Sequence, residues 1–157
     1  MDKETKKAIA YVDGSFSDEE KAFASGAVIL FDGKEFQFSE RRTDANLISM
    51  RNVAGEIVAA WRAMKYCLDN GIEELELYHD YEGVAAWCTG RWKTNKEGTK
   101  AYRNYYLRIK EKLKVRFIKV KGHSGDKYND LADKLAKEAL FGNPTEGWEV
   151  AYGEACR

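Results

Sequence analysis

Four acidic residues in this 157-residue chain, Asp13, Glu56, Asp80 and Asp133, lie far apart, yet each stands where it can turn toward a common point. Asp13 ends the apolar run Ala8-Ile9-Ala10-Tyr11-Val12 and is followed by Gly14-Ser15. Asp80 ends a second run, Leu75-Glu76-Leu77-Tyr78-His79, while Glu56 and Asp133 sit early in two helix-like segments. Carboxylates gathered at the ends of neighbouring strands repel one another unless cations lie between them. Hard oxygen ligands of this kind suit magnesium or manganese. Two such ions roughly 4 Å apart can clamp a phosphodiester and activate water.

Each acid also has a plainer explanation. One aspartate after a strand is most often a turn residue, but two of them at strand ends strain that account. Glu56 follows Val53 by three residues and precedes Ala60 by four, so it borders the buried face of its helix. As a structural residue it would be a first-turn acid favoured by the helix dipole. Asp133 shares a face with Asn129, Asp130 and Ala136. Asp130 competes for the same role, but a helix cap at Asn129 would explain it without chemistry. His123 stands between glycines in Lys121-Gly122-His123-Ser124-Gly125. An exposed loop is expected there, and histidine titrates near neutral pH, so it can carry a proton. His79 lies inside a strand and is read as structural.

The elements that must hold these residues follow from periodicity. Strands are expected over 8–13, 24–31 and 34–41, with Asp32-Gly33 making a two-residue hairpin between the second and third. After a polar loop at 44–52, Val53, Ile57, Ala60, Trp61, Met64 and Leu68 recur at helical spacing, and Asn70-Gly71 supplies the stop. A strand over 74–79, a short helix over 81–88 and a polar loop to about Gly98 come next. Tyr102, Tyr105, Tyr106, Ile109 and Leu113 define a second long amphipathic helix. A strand over 115–120 and a helix over 129–141 close the pattern, and the tail 142–157 reads as irregular. Three consecutive strands favour an antiparallel meander, and strands alternating with helices favour parallel pairing. The expected fold is α/β: a mixed five-stranded sheet flanked by helices, forming one domain over 1–141, with ligands beyond the strand ends.

Composition sets limits on partners. Hydrophobic residues make up 44% and charged residues 33%, the balance of a soluble globular chain large enough for a real core. The charged start from Met1 to Lys7 does not read as a signal peptide, and no apolar run approaches the roughly 20 residues of a membrane span. Cys67, Cys88 and Cys156 lack metal-type spacing and fit a reducing cytoplasmic setting. Net charge is zero, but Arg91 to Lys121 holds twelve Lys/Arg against Glu97 and Glu111, a local balance of +10. A solvated helix face is the plain reading of that run, and a nucleic-acid contact the functional one.

Taken together, Asp13-Gly14-Ser15, Asn52-Val53-Ala54-Gly55-Glu56, Tyr78-His79-Asp80, Lys121-Gly122-His123-Ser124-Gly125 and Asn129-Asp130-Leu131-Ala132-Asp133 resemble the type 1 ribonuclease H family. The resemblance runs from about Lys7 to Leu140, and its last two motifs are the most specific. It implies a ribonuclease H-like fold. It also implies an endonuclease that hydrolyses the RNA strand of RNA–DNA hybrids with two Mg2+ ions, Mn2+ being a possible substitute, and leaves 5′-phosphate ends. By the same resemblance Asp13, Glu56, Asp80 and Asp133 are the metal ligands, and His123 assists proton transfer or product release. Gly14, Ser15, Arg51 and Asn52 would contact the hybrid backbone, and Trp92, Lys93, Thr94 and Asn95 would line the DNA strand. A monomer acting without a membrane is expected.

Three departures from the family pattern stand out. The segment between Asp80 and the Tyr102 helix is compact, so the extended basic handle of some bacterial members is shortened. The loop after Ser15 lacks a Gly/Pro-rich stretch, and Tyr81 follows Asp80 where many members have serine. A nuclease of the same fold acting on DNA and a non-catalytic nucleic-acid-binding module are the alternatives. Retention of all four acids argues against the second, because a pure binder gains nothing from an anionic pocket facing phosphate.

Overall fold

A computed structural model describes residues 6–43, 50–121 and 126–141. The strands are β1 (Lys7–Ser17), β2 (Ala22–Phe31), β3 (Lys34–Arg42), β4 (Glu74–His79) and β5 (Lys114–Lys119). The helices are α1 (Asn52–Asp69), α2 (Gly83–Thr89), α3 (Glu97–Ile109) and α4 (Lys127–Phe141). The sheet order is β3-β2-β1-β4-β5, with β1, β2 and β3 antiparallel and β1, β4 and β5 parallel. This is the mixed sheet that the strand and helix order predicts. Asp32 and Gly33 adopt φ of 53° and 72°, the left-handed pair a tight hairpin needs.

The two faces of the sheet are covered differently. Ala8, Ala10 and Val12 of β1 alternate onto the face that meets α1, where Ile57, Trp61 and Met64 complete a dry core with Leu75, Leu77, Tyr102 and Leu113. On the other face Ala22 and Ala24 of β2 meet Ala139 and Leu140 of α4. Small residues on both sides let α4 lie close to the sheet. Cys67 and Cys88 are buried free thiols, and burial pushes each up to about 12, which leaves them unreactive. No helix among the described residues is long and apolar enough to cross a membrane.

Three local expectations are corrected. Asp13 does not end its strand: β1 continues to Ser17, carried on by pairing with β2 as far as Ser17 opposite Ala22. Leu113 is not in the third helix. That helix stops at Ile109, and Leu113, fully buried, follows a turn in which its amide and that of Lys112 both donate to the Ile109 carbonyl at 2.9 Å. The charged run Lys110-Glu111-Lys112 has no apolar side to bury, so it turns in solvent. Asn129 does not cap α4 but lies within it, buried. Asp126 is the cap: its Oδ1 accepts the amides of Tyr128 and Asn129, both at 3.0 Å.

Candidate active site

The site opens where β1 and β4 part company. Their parallel pairing ends at Tyr11 opposite Tyr78, so Asp13 lies two residues beyond the last pair. Asp80 follows directly on the end of β4. Each therefore stands at the carboxyl edge of the parallel part of the sheet, although β1 itself continues beside β2.

Glycines bring the two helices to these aspartates. A Cβ on Gly55 would collide with the Ala24 carbonyl and come within 3.0 Å of Gly14 Cα. Ser25 Oγ donates to the Gly55 carbonyl at 2.6 Å and pins this contact. Glu56, the next residue, is thereby pressed against the sheet and is only 4% exposed. It lies beyond the first turn of α1, so the helix-dipole explanation fails for it. Its Oε1 accepts the backbone amides of Asp80 at 3.1 Å and Tyr81 at 3.2 Å, which ties α1 to the end of β4. On the opposite face Gly26 pairs with Asp13 across the ladder. A Cβ there would strike the Ala132 carbonyl and stand 2.7 Å from the Ala136 amide. Asp133 is thus carried to the side of Asp13.

The electrostatics record how close the four acids are. Burial pushes Asp13 up to about 7, against the pull of the Gly14 amide at 2.8 Å. A hydrogen bond with Asp133 and the charges of Asp133 and Asp80 add to the rise. Burial likewise pushes Glu56 up to about 8, opposed by the amides of Tyr81 and Asp80 and reinforced by the charges of Asp13 and Asp80. All four acids are therefore parts of one electrostatic unit. Among the described residues no three of them already clasp a single point as a finished metal cage. Side-chain rotation would have to complete the coordination. The donor set nonetheless fits a hard divalent cation, since every donor is a carboxylate oxygen, and burial together with repulsion keeps protons on two of them near neutral pH. Asp130 takes no part in this unit. His123, Gly122, Ser124 and Gly125 lie outside the described residues, as does the side chain of Asn52. His79 is fully buried, with Nδ1 2.9 Å from the Tyr81 carbonyl, and is structural as expected.

Beside the acids a cavity of about 300 Å³ is lined by Met50, Val53, Tyr81, Trp87, Lys93, Asn95, Lys96 and Thr99. Lys93 and Asn95 were expected near a nucleic-acid strand. Trp92, 38% exposed, stands behind the cavity wall, its ring 5.7 Å from Trp87 and 5.9 Å from Tyr81. Thr94 is half-buried and does not line it. Tyr81, Trp87 and Thr99 were not among the expected contacts, whereas Lys96 belongs to the basic segment expected to face the DNA strand. The one available signal was the substitution of tyrosine after Asp80. A Cβ on Gly83 would stand 2.8 Å from the Trp87 ring, so that glycine makes room for the aromatic wall. Arg51, preceding α1, takes φ 56° and ψ −136°, with its guanidinium 5.3 Å from the Phe16 ring and 3.6 Å from Asp18. Ser15 pairs with Ala24 within the sheet.

The basic segment divides in two. Lys93 and Lys96 line the cavity and are exposed, as is Lys100, but Arg103 is half-buried, its guanidinium 3.4 Å from where a Cβ on Gly90 would lie. Lys114, Arg116 and Lys119 belong to β5, the edge of the sheet, where lysines discourage pairing with another chain.

A mixed five-stranded sheet of this order, with helices bringing two further acids to Asp13 and Asp80 where β1 and β4 part, defines a ribonuclease H-like fold. The RNase H family model matches residues 5–141, and the chain belongs to that family. Ribonuclease H of Acetivibrio thermocellus is 32% identical over 150 residues, covering 88% of this chain and 97% of that protein. Ribonuclease H of Clostridium botulinum is 30% identical over 152 residues, covering 86% and 96%. The solved RNase H1 of the halophilic archaeon Halobacterium salinarum superposes with a TM-score of 0.69 at 25% identity, covering 85% of this chain and 96% of that one. LC11-RNase H1, solved in complex with RNA/DNA hybrid, shares the fold with a TM-score of 0.65 at 18% identity, covering 84% and 98%.

Proposed function

We propose that this chain is an endonuclease that hydrolyses the RNA strand of RNA–DNA hybrids, leaving 5′-phosphate ends, and that it depends on two Mg2+ ions, with Mn2+ able to replace them. Asp13, Glu56, Asp80 and Asp133 would hold the ions. Bound there, such ions polarise a phosphodiester and make water nucleophilic at neutral pH. The observation that carries this reading is the shared electrostatics of the four acids, which adds to burial in raising Asp13 to about 7 and Glu56 to about 8. Like charges gathered around the buried Glu56 cost stability, and a cation site is the use that offsets it.

The protein's own residues prepare the site in stated ways. The amides of Asp80 and Tyr81 hold Glu56 in one orientation, and the Gly14 amide holds Asp13. The fixed backbone leaves little reorganisation for the moment of reaction. His123 would receive or return the proton that hydrolysis moves. Lys93, Asn95, Lys96 and Thr99 offer cationic and polar groups to one strand beside the aromatic wall of Tyr81 and Trp87. Arg51, Asn52, Gly14 and Ser15 would meet the backbone on the α1 side. Choice of RNA would rest on groove shape and on contacts with the 2′-hydroxyl. The chain would act as a monomer in the cytoplasm.

End-labelled RNA–DNA hybrid, duplex DNA and duplex RNA, each incubated with Mg2+ and with chelator, test the proposal. Cleavage confined to the RNA strand of the hybrid and lost with chelator is expected. Cleavage of duplex DNA would replace it with the DNA-directed alternative, and tight binding of hybrid with no cleavage would reduce the chain to a binding module.

A further inference from the structure

Asp133 has a neighbour besides Asp13. Lys137, one turn further along α4, brings its Nζ to 3.0 Å from Asp133 Oδ2. Acid first and base four residues later is the favourable order on a helix. Packing fixes the place of this pair. The Ala136 amide sits over Gly26, so the turn that carries Lys137 cannot roll away from β2. The side chain of Asp133 is 26% exposed and that of Lys137 is 57% exposed, so the ammonium reaches the acid from the rim. It sets a positive charge against the same carboxylate that faces Asp13, where a metal ion would set its own.

We propose that Lys137 is a tethered cation of the acid cluster: it holds Asp133 while no divalent ion is bound, and an entering ion must displace it. The inference rests on the reading of the four acids as ion ligands. Lys137 is then a tuning residue that sets the concentration of divalent ion the site requires. It eases the repulsion between Asp133 and Asp13 in the ion-free protein, at the expense of affinity for the ion.

Calorimetric titration of the whole chain with Mg2+ at fixed ionic strength tests this without any cleavage assay, together with the Mg2+-induced rise in Tm. Lys137→Gln and Lys137→Met should bind Mg2+ more tightly than the parent by roughly fivefold at most, the ceiling for an exposed ion pair. Both should melt lower than the parent before Mg2+ is added, and Lys137→Arg should stay close to the parent. Neutral variants that bind Mg2+ no more tightly than a parent that does bind it would overturn the role of Lys137 alone. Tightening in Lys137→Arg equal to that in Lys137→Gln would also overturn it, because charge would not be the cause. A parent that takes up no Mg2+ at all would remove the metal-site reading and this inference together.

Discussion

Asp13 and Gly26 face each other across the β1–β2 ladder, and the missing side chain of Gly26 is what lets α4 bring Asp133 to Asp13. A residue with no functional group thus sets the distance between two that have one. Gly26→Ala should force α4 outward, since the obstacles are the backbone carbonyl of Ala132 and the amide of Ala136, which have no rotamer to yield. Overpacking of this kind typically costs about 1–3 kcal/mol. Chemical denaturation should show that loss, and cleavage should fall further than stability does. A variant as stable and active as the parent would mean that α4 tolerates displacement.

Gly55→Ala makes the same test from the other face. The collision is with the Ala24 carbonyl, and the displaced residue is Glu56. We expect loss of turnover with hybrid binding largely retained, because the cavity beside the acids is lined mostly by α2, α3 and the segment joining them. Fluorescence binding and single-turnover cleavage separate the two effects.

Stability in the absence of divalent ions should fall as pH rises. Asp13 stands at about 7 in the folded chain against an ordinary 3.8, and Glu56 at about 8 against 4.5. Between those limits the folded chain binds more protons than the unfolded one, so raising pH favours unfolding. Melting curves in chelator should therefore shift down between roughly pH 4 and pH 8. Asp13→Asn and Glu56→Gln should flatten that slope, and Mg2+ should reverse it by binding the folded form. A Tm that climbs steadily across this range in chelator would refute the coupled acid cluster.

Asp133 and Asp130 are separable by their asparagine variants. Asp133 belongs to the acid cluster, whereas Asp130 lies in the first turn of α4, where its charge favours the helix terminus. Asp133→Asn should abolish most cleavage. Asp130→Asn should cost at most about 1 kcal/mol of stability and leave turnover near the parent's. Equal losses of activity in two folded variants would contradict the register of α4.

Lys93 and Lys96 line the cavity beside the acids and are exposed. Replacing both with alanine should raise KM and lessen the salt dependence of binding, by roughly one unit of slope per lost phosphate contact on duplex DNA and similarly on hybrid. Turnover at saturating hybrid should hold, since neither lysine belongs to the acid cluster. Parallel salt plots of equal affinity would assign the two lysines to solvent.

Much of this was legible in the sequence, for identifiable reasons. The strand and helix order follows from the switch between twofold and helical periodicity, and the hairpin from Asp32-Gly33, whose backbone requirement is local. Asp13 and Asp80 stood out because each follows an apolar run, and Glu56 and Asp133 because each sits early in a helical segment with its carboxylate near the buried face. The helix approaches were hidden. A glycine inside a strand, such as Gly26, reads as a weakness or a bulge, and one inside a helix, such as Gly55, as a loss of propensity; only the packed structure reveals both as contact points. Asp126 was overlooked as the cap of α4 because Asn129 has the same capping chemistry three residues later. Tyr81 and Trp87 form a wall with Lys96 and Thr99 only after α2 and the loop to α3 fold back, which no short-range pattern encodes. Lys137 reads as an ordinary surface lysine until Asp133 is seen to face Asp13.

The most direct test of the account is single-turnover cleavage of RNA–DNA hybrid by Asp13→Asn in Mg2+, with melting and hybrid binding measured on the same preparation. The expected result is a folded protein that binds hybrid and does not cut it, with a Tm in chelator above pH 7 at or above the parent's. Cleavage at the parent rate would contradict the assignment of the four acids and the function built on it.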